Sequence, residues 1–140
     1  MDLLNQALYL AFKNDASYMA AAPGGMWNQR ADSGTPLPLG KFQMFHGEPS
    51  YSFNNVSCER YLYRVTACAE ETETASGASL AAIVNGHIKR VVNAASLSVT
   101  GYEVLTCWWT GLIAPDCKPG ASGRDEYSEG VIVEIIITHT

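Results

Sequence analysis

Hydrophobic and polar residues switch between two periods along the chain. Leu4, Ala7, Leu8, Ala11 and Phe12 recur at helical spacing behind Asp2, a residue type that caps helix N-termini, and the run stops near Asn14 and Asp15. A second, short helical turn is expected over 17–22, ended by Pro23, Gly24 and Gly25. Residues 28–40, NQRADSGTPLPLG, are rich in turn formers, with prolines that suit only a sheet edge or the approach to a strand. A strand over 41–46 and a turn over 47–50 come next.

The stretch CERYLYRVTACAE then alternates strictly. Glu59, Tyr61, Tyr63, Val65, Ala67 and Ala69 point one way, and Cys58, Arg60, Leu62, Arg64, Thr66 and Cys68 the other. The period returns to helical over about 75–93, where Leu80, Ile83, Val84, His87, Ile88, Val91 and Val92 trace one stripe. Lys89 and Arg90 sit near its C-terminus, where cations suit the helix dipole. Two strands, about 98–111 and 130–139, finish the chain, separated by the polar stretch IAPDCKPGASGRDEYSE at 113–129. That stretch has no apolar period and reads as a loop of unusual length, the kind that tends to be functional.

Both terminal strands are apolar on both faces. Tyr102, Val104, Thr106 and Trp108 are expected on one side, with Glu103, Leu105, Cys107 and Trp109 on the other. Val131, Val133, Ile135 and Ile137 alternate with Ile132, Glu134, Ile136 and Thr138. A sheet with helices on one side and water on the other should alternate cleanly. The pattern therefore predicts one α+β domain over 1–140: an antiparallel sheet of about four strands with two main helices packed on one face. The second face carries Leu62, Leu105, Trp109, Ile132 and Ile136 among Arg60, Arg64 and Glu134. It is expected to be covered from outside the chain, which favours an oligomer.

Composition sharpens this picture. At 140 residues with 47% hydrophobic and 16% charged, the chain is a globular protein somewhat short of surface charge, a further sign of a covered surface. The net charge of −5, with Lys89 and Arg90 the longest basic cluster, argues against tight phosphate binding. The N-terminal MDLLNQALYL lacks a basic leader, and no stretch approaches a membrane span, so assembly in a reducing cytoplasm is expected. Four cysteines without a C-x-x-C pair fit thiols better than a disulfide framework.

Catalytic constellations are sparse. His46 ends a strand, His87 lies on a helix stripe where a core-edge role is the simpler reading, and His139 is next to the C-terminus. Their spacing fits no metal site, and no cofactor motif is present. Spacing alone would allow Cys107 and His139 to meet across strands as a nucleophile pair, but two strand fillers are the simpler account. The acids at 70, 71, 73, 125, 126 and 129 read as solvated surface. Trp108 and Trp109, without basic surroundings, suit a core or an interface better than a stacked base.

Several segments together resemble the tail-completion (tail terminator) proteins of long-tailed bacteriophages. They are the start LxxALYxAFxND, the TPLPL before a strand, the aromatic strand with Arg60, Tyr61, Tyr63 and Val65, and the L-x-V-x-G-Y segment at Leu97, Val99, Gly101 and Tyr102. The paired tryptophans and the long segment 113–129 with Cys117 match no feature of that family. The resemblance implies a non-enzymatic virion protein of the tail or neck, without cofactor. It would form a homohexameric ring that caps the tail tube, stops its polymerisation and docks to the head connector or head-closure protein. Genomic DNA would pass through the lumen without specific binding, which the net charge of −5 per copy suits.

On that reading Arg60, Leu62, Arg64, Trp109, Glu134 and Ile136 form the subunit interface, with both arginines pairing acids across the joint. The segment 113–129 projects from the ring and docks to tube or connector through Lys118, Arg124, Asp125 and Glu126. Two alternatives stay open: a head-closure or adaptor protein of the neck, and a small enzyme or ligand-binding domain using the second sheet face as a pocket.

Overall fold

A computed structural model describes residues 2–94, 97–120 and 122–140. Its elements run α1 (Asp2–Lys13), α2 (Ala16–Ala21), β1 (Met26–Asn28), β2 (Leu39–Phe53), β3 (Val56–Glu70), α3 (Gly77–Ala94), β4 (Tyr102–Pro119) and β5 (Asp125–His139). The strands form one five-stranded sheet in the order β1-β2-β3-β5-β4, antiparallel except for the short parallel pair β1–β2. The fold is thus α+β, with three helices and one more strand than the sequence pattern predicts. The extra strand is the three-residue MWN, too short to show a period.

The helices gather on one face. Leu4, Ala7, Leu8 and Phe12 of α1 and Val84, Ile88, Val91 and Val92 of α3 join Tyr61, Tyr63, Val65 and Ala67 of β3 and the odd-numbered Val131–Ile137 positions of β5 in one buried cluster. Ile83, expected on the stripe of α3, is 54% exposed, and Asn85 takes a buried place instead, donating to Glu129 Oε2 at 3.2 Å. Asp2 is the first residue of α1; a clear side-chain cap is seen at α2, where Asp15 Oδ1 accepts the Tyr18 amide at 2.8 Å. Gly40 is forced by packing, since a Cβ there would lie 2.4 Å from the Tyr18 hydroxyl.

Three local expectations are corrected. The turn expected over 47–50 does not form: Gly47 and Glu48 pair with Tyr61 and Arg60, and the extra residues are absorbed in a bulge between Glu48 and Tyr51. The hairpin turns instead at Asn54 and Asn55, whose φ angles of +48° and +63° suit a tight hairpin turn that asparagine tolerates.

The expected loop over 113–129 is the far half of the β4–β5 hairpin. Asp116 pairs with Ser128, Lys118 with Glu126 and Pro119 with Asp125, and Gly120 N–H donates to Arg124 O at 2.9 Å to close the tip. Residue 121 lies outside the described residues. Proline normally ends a strand, but β4 is an edge strand, Pro115 falls in a bulge between Ile113 and Asp116, and Pro119 is the last strand residue.

The faces of β4 are also not those expected. Val104 pairs with Ile137 but Thr106 pairs with Ile136, so Leu105 is a bulge that reverses the parity of the strand beyond it. Cys107 and Trp109 therefore join the helix side, and Thr106 and Trp108 the other. Trp109, predicted on the second face, packs against the core cluster instead.

Candidate functional site

The helix-free face is where the structure concentrates its polar chemistry. Ladder register pairs Glu48 of β2 with Arg60 of β3, and Glu134 of β5 with Trp108 of β4, the second pair lying two rows from the first on the same face. Arg60 Nε donates to Glu134 Oε2 at 2.6 Å, and Trp108 Nε1 donates to Glu134 Oε1 at 2.9 Å. Arg60 Nη1 stands 3.7 Å from Glu48 Oε2, and His46 Nε2 stands 3.6 Å from Glu48 Oε1. The Arg60 guanidinium lies 5.5 Å from the Tyr51 ring, and that of Arg64 lies 5.1 Å from Phe45.

This network explains an otherwise odd burial. Ile136 is on the helix-free face yet only 2% exposed. It sits in the row between Arg60 and Thr106, with Glu134 and Trp108 two rows along on the same face, so the joined side chains roof it over. Burial raises the Glu134 carboxyl, but the hydrogen bonds from Trp108 and Arg60 outweigh it and hold the group below its ordinary value. Glu134 in turn raises the Arg60 guanidinium.

Arg60 and Glu134, Leu62 and Ile136 thus share a face as the sequence suggests, and Arg64 joins them, but Arg60 finds its acids within its own chain. Ile136 is covered without a second molecule. Still open on this face are Trp108 at 50% exposure, Phe45 at 42% and Val56 at 44%. The sequence pattern points to neither Trp108 on this face nor the Glu48 contact, and only knowledge of the Leu105 bulge would have placed Trp108 there.

The residues of the expected loop cluster at the β4–β5 tip. Lys118 and Glu126 are cross-strand neighbours. Arg124 Nη1 donates to Glu71 O at 3.0 Å, and Ser122 donates to Glu70 Oε2 at 2.7 Å, which ties the tip to the end of β3. Asp125 opens β5 and is exposed.

The candidate chemistry does not assemble. Cys107 pairs with Ile135 and His139 with Tyr102, so the two side chains stand four residues apart along β5. His139 stacks on Tyr102 with ring centroids 4.4 Å apart and lies 3.2 Å from Glu59. Burial pushes the Cys107 thiol up to about 12, the opposite of an activated nucleophile. His87 Nδ1 lies 3.1 Å from an Arg90 guanidinium nitrogen. Among the described residues no group of three or more His, Cys, Asp or Glu could hold a metal, and no helix is long and apolar enough to cross a membrane.

No family model matches the sequence, and no curated protein matches it either. Among solved structures, the chain is similar to one described as "Virion of native gene transfer agent (GTA) particle". The two share 13% identity with a TM-score of 0.64, over 96% of this chain and 95% of that one. The likeness is one of fold, and it runs end to end.

Proposed function

We propose that this protein is a structural component of a phage-like virion, and specifically a ring-forming neck protein. The ring caps the tail tube, ends its polymerisation and joins the tail to the head connector. The observation that carries this reading is the fold shared over 96% of the chain with a protein of a gene transfer agent virion. Fold alone does not fix function, and the surface supplies the second support. The two long hairpins, β2–β3 and β4–β5, turn at opposite ends of the sheet, where such arms suit contacts to neighbours above and below.

The protein acts without catalysis. A cleft along 97–107, lined by Leu97, Val99, Tyr102, Glu103, Val104 and Cys107 among others, holds one carboxylate and no histidine or lysine in its lining. DNA traversing the ring meets subunits of net charge −5, which favours sliding over adhesion.

The test is a null variant in the strain that produces the particles. A tail terminator predicts tails of uncontrolled length alongside unjoined heads. Tails of normal length beside DNA-leaking heads would instead assign the protein to head closure, and normal particles would remove it from the neck altogether.

A further inference from the structure

The helical layer stops short of the last strand. α3 lies over β3 and β5 and reaches only the margin of β4, where Lys89 stands 5.0 Å from the Trp109 ring and Asn93 Oδ1 accepts the Trp109 amide at 3.4 Å. Ala82 and Gly86, two helical turns before those contacts, are exposed on the same flank and leave room beside it. Beyond them Leu112, paired with core residue Val131 and so on the helix side of the sheet, is 64% exposed. Among the described residues no helix lies over β4 beside Leu112, which leaves a berth there.

At the other end of the molecule α1 has an apolar ridge that it does not use. Its inner stripe is buried, but Leu3 and Leu10, two turns apart on its outer side, are 44% and 47% exposed. β1, beside which α1 packs, and β4 are opposite edges of the sheet, so ridge and berth cannot meet within one subunit.

We infer that the berth over β4 is filled by α1 of the next copy of this chain. The inference rests on the ring reading above and adds the contact that builds the ring. Three observations support it. The first is height along the strands. Asn5 of α1 accepts a hydrogen bond from Tyr63, whose ladder row runs through Val133 to Trp109. Phe12 packs on Tyr18, which abuts Gly40, whose row runs through Ala67 to Glu129. A neighbour set beside the first copy without a shift along the strands therefore brings Leu3 level with Trp109 and Leu10 close to Leu112.

The second is spacing. Leu3 and Leu10 stand about 10 Å apart along the helix. Trp109 and Leu112 are two ladder rows apart, about 7 Å, and the breadth of the indole makes up the difference. The third is charge. In that alignment Asp2 approaches Lys89, and Lys13 approaches the Glu129 end of the berth. The contact joins two different patches, so it is heterologous, and with no shift along the strands it closes into a ring where each copy is turned from the last by a whole fraction of a full rotation.

The test is cross-linking of Leu10→Cys combined with Leu112→Cys, both exposed sites, in a Cys117→Ser background, using a short bismaleimide. It is applied to the purified protein and to assembled particles. The expected result is a ladder of bands ending in one closed species, while each single-cysteine variant stays monomeric. Dimers from a single variant would make the contact two-fold and overturn the inference. Rings visible by electron microscopy without a ladder would overturn the contact but leave the ring reading standing. Particles holding no ring of this protein would overturn both.

Discussion

Arg60 Nε and Glu134 Oε2 meet at 2.6 Å within one chain, on the face of the sheet that has no helix over it. The pair takes the place of a packed layer, roofing Ile136 with the help of Trp108. With side chains only 25% and 13% exposed, it is shielded enough to matter for folding.

Arg60→Ala and Glu134→Ala should each lower unfolding free energy by about 2 kcal/mol, since each strands a charged hydrogen-bonding partner. A double-mutant cycle read by urea denaturation should give a coupling of about 1–3 kcal/mol. Glu134 is held below its ordinary value in the folded chain, so its contribution is present above that ordinary value and fades as pH falls through the lowered one. Coupling near zero at pH 7 would reduce the pair to a surface contact.

Arg64 is the arginine at which folding and the proposed assembly can be tested apart. It is exposed, makes no ion pair among the described residues, and rests on Phe45 at 5.1 Å. Arg64→Glu should change stability by no more than about 1 kcal/mol. If this face meets a neighbour, the same variant should cut the yield of complete particles sharply. Folded protein with undiminished particle yield would place Arg64 in solvent or facing the lumen.

Asp15 has two duties, capping α2 and pairing with Arg90 at 2.7 and 2.9 Å. The hydrogen bond to Arg90 leads in lowering its carboxyl from 3.8 to about 2, with burial opposing and the Tyr18 amide assisting. Because the folded-state value is depressed, the stabilisation is complete above the ordinary value and is lost as pH falls from about 4 towards 2. Arg90 is 45% exposed, so the ion pair contributes less than about 1 kcal/mol and the cap about 1 kcal/mol. Asp15→Asn should therefore lose less than Asp15→Ala in thermal melts at pH 7. Equal losses would mean the cap contributes nothing.

Where the chain keeps strict parity, its pattern is readable. Tyr61, Tyr63, Val65 and Ala67 are buried as their alternation requires, and so are Val131, Val133, Ile135 and Ile137. The misreadings fall at bulges. Leu105 leaves no local mark, yet it exchanges Trp108 for Trp109 on the helix-free face. Pro49 and Ser50, ordinary turn residues, sit in a bulge because their partner strand continues past them. The Arg60–Glu134 pair is implied by shared faces, but its closeness depends on Leu62 facing Glu134 in the ladder, a register that neither strand encodes alone.

The segment 113–129 resembles a loop for a related reason: its prolines and glycines are locally hostile to a strand, and only an edge position makes them harmless. As a hairpin arm it is a stiffer object than a loop. Arg124 and Ser122 fasten its tip to Glu71 and Glu70, so Lys118, Asp125 and Glu126 are presented in a fixed arrangement. Replacing residues 115–127 with a short Gly-Asn turn removes the arm while sparing the rows from Ile113–Gly130 onward to the core. The shortened protein should fold, with a circular dichroism spectrum retaining its helical signal and melting within a few degrees of the parent. In the producing strain it should leave heads and tails unjoined or tails of irregular length. Infectious, correctly joined particles from the shortened chain would show that the arm is a tolerated extension and not the docking element of the proposed ring.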